Sequence, residues 1–470
     1  MLVILGFAMV LTFMALIMTK RLTPMVALII VPTIFGLFAG AGLGLGDMVI
    51  EALGDLAGTA ALLMFAILYF GIMIDVGLFD PLVRLILRAA GGDPAKVVVG
   101  TALLAAAVSL DGDGSTTFIV TTAAMLPIYL KLGISPVVLT CVAGLANGTL
   151  NIVPWGGPTV RAAAALNVSA TDIFVPMLPS LAAGIAIVLV FAWVLGVGER
   201  NRIAAAGSTI TELSGNGSPF DISTPNGPLR PTRRGGILVP ALVRADTAVI
   251  TVVRETMLEP GRETLRPRLI WVNLALTVIV MVMLVADLLP LPYVFMVATA
   301  IALIINFPRL KDQGDRIAAH APNVIAVVSM VLAAGVLIGV LNGTGMVDAM
   351  SDWLVTVIPN ELGPSLAVIT GVLSIPMTFF MSNDAFYFGM LPVLAESAAN
   401  YGISPVEMAR ASITGQPVHL QSPLVPAILL LVSLAKVNLG DHHRKVLWRA
   451  VIVSLVMLAV GVLTTAIPFG

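Results

Sequence analysis

Long apolar runs alternate with short polar breaks along the whole chain. A run of about 20 mostly apolar residues has the length of a membrane-spanning helix. Such runs fall at 2–19, 23–42, 58–77, 134–153 and 173–197, and again at 268–288, 290–307, 320–342, 404–435 and 445–468. Between the third and fourth run of each set lies another apolar region, at 95–131 and at 363–400. Each of these is broken by a polar cluster, Asp111-Gly112-Asp113-Gly114-Ser115-Thr116 in the first and Ser382-Asn383-Asp384 in the second. Two apolar arms around a polar tip predict a re-entrant hairpin. Non-helical backbone at membrane depth is tolerated only where protein or a cavity surrounds it.

The two sets repeat. Residues 71–80 resemble 339–348 at an offset of 268, Gly133 to Pro136 recurs as Gly402 to Pro405 at 269, and Pro154 falls on Pro423. A shared offset over the whole chain predicts two repeats, 1–198 and 268–470, joined by 199–267. The joining segment is rich in Gly, Pro, Ser and charge and predicts a mostly irregular tether.

Composition agrees with a lipid solvent. Hydrophobic residues make up 58% of the 470 and charged residues 11%, against about 25% charged in a soluble domain. A net charge of −1 gives no reason to expect nucleic acid, and the single cysteine, Cys141, excludes an internal disulfide framework. The apolar opening lacks a basic leader and reads as a spanning helix, not a cleaved signal. Residues 199–268 hold 10 of the 25 Lys and Arg. Lys20, Arg21, Arg84, Arg88, Lys96, Arg309, Lys311 and Arg316 fall on the same predicted side. Placing that side in the cytoplasm puts both termini outside. Five spans per repeat then give the repeats opposite orientation, as in secondary transporters, whose sites lie where broken helices meet.

The polar residues inside the apolar regions carry the candidate chemistry, because ionisable groups in lipid are costly. At the hairpin tips these are Asp111, Asp113, Gly114, Ser115, Thr116, Ser382, Asn383 and Asp384. Part of this set serves to cap helix N-termini. Each hairpin is followed by a helix with proline and glycine breaks. The first break carries Asn151, Gly156, Gly157, Thr159 and Arg161, and the second Gln416, His419, Gln421 and Ser422. Trp155 reads as packing and Asp75 as a loop-end carboxylate. Helix N-termini and amides suit a carboxylate ligand, whereas grouped aspartates repel a free polyanion. An anion complexed to a divalent cation resolves that conflict, with Asp111, Asp113 and Asp384 as metal-facing carboxylates. A proton on Asp113, Asp384 or His419 also relieves it and couples transport to protons.

Several stretches resemble the CitMHS family of citrate–metal/proton symporters within the ion transporter superfamily. They are 18–21, 63–75, 109–118, 151–159, 381–384 and 415–423. The resemblance implies uptake of citrate with a magnesium-, calcium- or iron-class cation and protons across a bacterial plasma membrane, with no permanently bound cofactor. It also implies an all-α homodimer in which a transport domain moves against a scaffold domain as an elevator, and no enzymatic activity. Alternatives are a sodium-coupled di- or tricarboxylate carrier on the same fold and, remotely, an intramembrane aspartyl protease, against which the order Asp111-Gly112-Asp113-Gly114 counts.

Overall fold

The computed structural model describes the chain except residues 20, 91, 113, 215–262, 287, 358, 360 and 470, and the side chains of 18, 82, 83, 87, 89, 90 and 206–214. Lys20, Asp113, Asp287 and the central part of the linker therefore lie outside the described residues. Among those described, every regular element is helical.

The elements are α1 (Leu2–Met18), α2 (Pro24–Phe38), α3 (Leu45–Asp75), α4 (Asp80–Ala90), α5 (Pro94–Val108), α6 (Gly114–Leu132), α7 (Pro136–Leu150), α8 (Gly157–Leu166), α9 (Ala170–Phe174) and α10 (Leu178–Ser214). After the linker come α11 (Ile270–Ala286), α12 (Leu291–Asn306), α13 (Leu310–Gly343), α14 (Met346–Val357), α15 (Leu366–Phe380), a π-helical segment (Ala385–Met390), α16 (Leu391–Ala399), α17 (Pro405–Ser412), α18 (Gln416–His419), α19 (Pro426–Leu434) and α20 (Leu439–Leu463). Eight of the described helices are long and apolar enough to cross a membrane. The short helices α4 and α14 occupy stretches that the sequence pattern left as connections, and α10 continues helically to Ser214 where a tether was expected.

Local signals start these helices. Proline opens α2, α5, α7, α17 and α19, where its missing N–H costs nothing. Asp93 accepts from the Ala95 N–H at 2.9 Å, and Ser404 and Glu407 form a capping box. The outer surface is apolar. Ile279, Val282 and Val285 on α11 are each more than half exposed. In water such a patch is a liability, but in lipid it is the required surface.

Two packing groups emerge. In one, α3 and α13 run along each other and pack against α2 and α12, with α1 and α14 at the edge. In the other, α10 packs on α5 and α20, α7 sits among α5, α6 and α20, and α15 packs on α17, α18 and α20. The groups meet where α3 and α13 approach α8, and where α14 packs on α16.

Two buried asparagines are paired between helices. Asn273 and Asn306 exchange reciprocal amide bonds of 2.9 and 2.8 Å between α11 and α12. Replacing Asn306 with leucine strands the Asn273 amide, at a cost of about 1–3 kcal/mol. Thermal unfolding in detergent is expected to occur at lower temperature for this variant, and the double variant Asn273→Leu/Asn306→Leu should recover most of the loss.

Candidate functional site

The two broken segments and both hairpin tips converge on one cavity of about 430 Å³. The first hairpin turns at Gly112, whose φ of +78° lies in the left-handed region that glycine adopts readily. The tip lies inside the protein, with Asp111 only 6% exposed. It is tied to the first break: Trp155 Nε1 donates to the Leu110 carbonyl at 2.7 Å, and Asn147 Nδ2 donates to Ser109 Oγ at 2.9 Å. The second hairpin repeats this arrangement. His419 Nδ1 donates to the Thr378 carbonyl at 2.5 Å and Ser422 Oγ to the Phe379 carbonyl at 2.6 Å. Leu110 and Thr378 stand 268 positions apart, the offset seen in the sequence repeat.

The halves also bind each other. Arg161 Nε donates to Asp384 Oδ1 at 2.6 Å, and its Nη1 donates to the Gly157 carbonyl at 3.0 Å. Asn151 Nδ2 donates to Gln416 Oε1 at 3.1 Å, and Gln416 Nε2 donates to Tyr387 Oη at 3.0 Å and Asn383 Oδ1 at 3.3 Å. A guanidinium, a carboxylate and a chain of amides thus join the first break to the second hairpin.

Of the residues singled out from sequence, Asp111, Gly114, Thr116, Asn151, Gly157, Arg161, Asn383 and His419 line the cavity. Ser115 sits on the first turn of α6, and Gly156 immediately precedes α8. Asp384 and Gln416 are buried directly behind the lining, held by the bonds above. Others bond to neighbouring backbone. Thr159 Oγ1 donates to the Ile152 carbonyl at 2.7 Å, and Ser382 Oγ accepts from the Ala385 N–H at 3.2 Å. Gln421 Nε2 donates to the Gly144 and Pro417 carbonyls, both at 3.0 Å, and stands away from the cavity beside His442.

The first turns of α6, α8 and α19 all contribute to the cavity wall, through Gly114, Gly157 and Pro426. Helix N-termini carry unsatisfied N–H groups and a partial positive charge. The wall therefore favours an anion. Among the described residues no group of three or more His, Cys, Asp or Glu is placed to hold a metal ion. Asp384 faces Arg161, which spends that carboxylate on a cation the protein already owns.

Sequence reasoning missed part of the wall. His320 and Asn323 line the cavity from α13. Asp75, read as a loop-end carboxylate, accepts from His320 Nε2 at 3.0 Å and from Arg316 Nη1 at 3.4 Å. Trp155 does pack, edge-on against Phe295 and tilted on Phe70, but it also faces the cavity. The signal available for α13 was that His320 and Asn323, three residues apart, share one helix face.

Comparison with known proteins places this architecture. The citrate transporter family model matches residues 2–415. The chain belongs to that family. A citrate transporter of Bacillus subtilis (strain 168) is 47% identical over 470 residues, covering all of both chains. A Mg(2+)/citrate complex secondary transporter of the same organism is 46% identical over 471 residues, again covering both completely. Among solved structures, the YdaH transporter of Alcanivorax borkumensis superposes with a TM-score of 0.51 at 14% identity, covering 91% of this chain and 90% of that one. That likeness concerns the fold. As a member of this family the protein is a multi-pass membrane transporter and not an enzyme.

Proposed function

We propose that the protein carries citrate, complexed with a divalent cation, across the bacterial plasma membrane together with protons. One observation carries this reading. Helix N-termini and Arg161 surround a single cavity, in a chain related end to end to a protein named for the Mg(2+)/citrate complex.

Arg161 spends Nε on Asp384 and one Nη1 hydrogen on Gly157, leaving further guanidinium donors for a carboxylate. Asn151, Asn383 and Thr116 supply the neutral polar contacts that fix orientation. The cation arrives already chelated by citrate, so the protein need not provide a full metal shell. Asp111 and Asp113 remain the carboxylates proposed to face the cation.

Proton coupling follows from competition. An anion that draws Arg161 away from Asp384 leaves a buried carboxylate without its counter-ion, which a proton neutralises. His419, across the same cavity, is the second proposed proton group. The group of helices carrying the hairpins is proposed to slide as an elevator against α3 and α13, in a homodimer with the linker cytoplasmic and both termini outside.

Radiolabelled citrate uptake into proteoliposomes under an inward proton gradient tests the reading. Expected is uptake that requires a divalent cation, with magnesium preferred over calcium and iron, and that collapses with a protonophore. Uptake indifferent to metal and raised by sodium would replace this reading with the sodium-coupled carrier.

A further inference from the structure

The wall built by α3 and α13 carries charge of its own. Asp75, on the last turn of α3, accepts from His320 Nε2 at 3.0 Å and from Arg316 Nη1 at 3.4 Å. His320 lines the cavity from α13 and is 9% exposed. Gly71, on the turn of α3 before Asp75, makes room for the ring. A Cβ there would stand 2.6 Å from His320 Cε1 and Nδ1. With Nε2 held by the carboxylate, Nδ1 bonds to no described residue. An imidazole gripped on one nitrogen by a carboxylate has a fixed tautomer and orientation. Its other nitrogen can take a proton without the ring moving.

We propose that the Asp75–His320 pair is a proton-linked anion contact on the wall of the cavity formed by α3 and α13. His320 Nδ1 takes a proton from solution as the anionic substrate enters, and the resulting N–H donates to one of its carboxylates. Asp75 is the positioning residue and Gly71 provides the space. The proton returns to solution when the anion leaves. The proposal rests on the reading that the cavity takes metal–citrate.

The surrounding charges fit that role. Arg316 lies on the same helix face one turn earlier and shares Asp75, so the carboxylate is balanced even when the imidazole is neutral. The described residues entering α11 make other contacts. Thr264 Oγ1 donates to the Asp75 carbonyl, while Arg266 binds the Asn306 carbonyl and lies over the Phe307 ring. Across the cavity stand Asp111, Arg161 and His419. A bound anion favours the imidazolium, and by linkage the imidazolium favours the anion. Affinity for the anion then falls as pH rises.

The test is binding of Mg²⁺ plus citrate to the full-length protein in nanodiscs from pH 5.5 to 8. Wild type is compared with His320→Gln at each pH, so that ionisation of citrate itself cancels in the ratio. Expected is a Kd about 10-fold weaker for His320→Gln at pH 5.5, with the ratio falling to about 1 at pH 8, the loss of one charge-assisted hydrogen bond. Asp75→Asn is expected to move the fall in wild-type affinity to lower pH. Gly71→Ala keeps the imidazole but displaces it, and should reproduce the His320→Gln profile. A ratio independent of pH, or a Gly71→Ala profile like wild type, overturns the proposal and leaves the functional reading standing. If wild type binds no Mg²⁺–citrate at any pH, the functional reading falls and the proposal falls with it.

Discussion

Replacing Arg161 with glutamine is expected to reduce citrate uptake about 100-fold or more at low substrate, with uptake partly restored by raising substrate. Among the described residues the guanidinium is the one arginine lining the cavity. It is placed by Asp384 and by the Gly157 carbonyl at the N-terminus of α8. A charge-assisted hydrogen bond contributes about 1.5–3 kcal/mol, and about 1.4 kcal/mol is tenfold in affinity. A two-point contact with a carboxylate therefore accounts for two orders of magnitude. Arg161→Lys retains the charge but not the planar fork, and is expected to keep less than about a tenth of the activity.

The same substitution also has a structural cost, and the two effects can be separated. Glutamine at 161 leaves Asp384 without its counter-ion, and breaking one side of a buried pair costs about 3–5 kcal/mol. The double variant Arg161→Gln/Asp384→Asn removes both charges together. Thermal stability in detergent should recover in the double variant, while uptake should not. Recovery of uptake along with stability would mean that the pair holds the fold and the anion binds elsewhere. Asp384→Asn alone tests the proton role. It should lower uptake while binding persists, because Arg161 stays free for the anion.

Much of this arrangement was legible in the sequence because lipid punishes polar groups. Asp111, Asp384, Gln416 and Asn151 sit within apolar runs where a membrane residue has no reason to be polar unless it is used. The prolines and glycines at 154–158 and 415–423 marked the breaks for the same reason. Partnerships were harder to read. Arg161 and Asp384 are 223 positions apart, and only the folded chain shows that one spends the other's charge. Gln421 and Ser422 lie in a polar cluster, and only the folded chain shows that they bond to carbonyls of neighbouring segments. Asp75 and His320, 245 positions apart, each stand near the end of an apolar run. A charge there is ordinary, and the spacing of His320 and Asn323 on one helix face was the signal left to read. The helices α4 and α14 escaped notice because each is too short to span and lies between longer runs.

The close approach of the two broken segments gives the second large expectation. Helix α7 meets the second break backbone to backbone. A Cβ on Gly148 would stand 2.9 Å from Pro417 Cα and 3.2 Å from its carbonyl oxygen, and 3.3 Å from the Gln416 oxygen. One turn earlier, a Cβ on Gly144 would meet the Gln421 side chain instead. Small residues four apart are the usual means by which helices in lipid come this close. The two positions differ in what must yield. At Gly144 a side chain can swing away, whereas at Gly148 the neighbour is main chain that also carries the Asn151–Gln416 bond. Gly148→Val is therefore expected to force the breaks apart, at an overpacking cost of about 1–3 kcal/mol or more. It should carry the Gln416 amide away from Asn151 and abolish citrate uptake. Gly148→Ala should show the same defect to a smaller degree, and Gly144→Ala should retain most of its uptake. Thermal unfolding measured beside proteoliposome uptake checks the ordering. If Gly148→Val transports like wild type, the contact at Pro417 does not hold the two breaks in register, and the cavity must tolerate a separation that the Asn151–Gln416 bond does not.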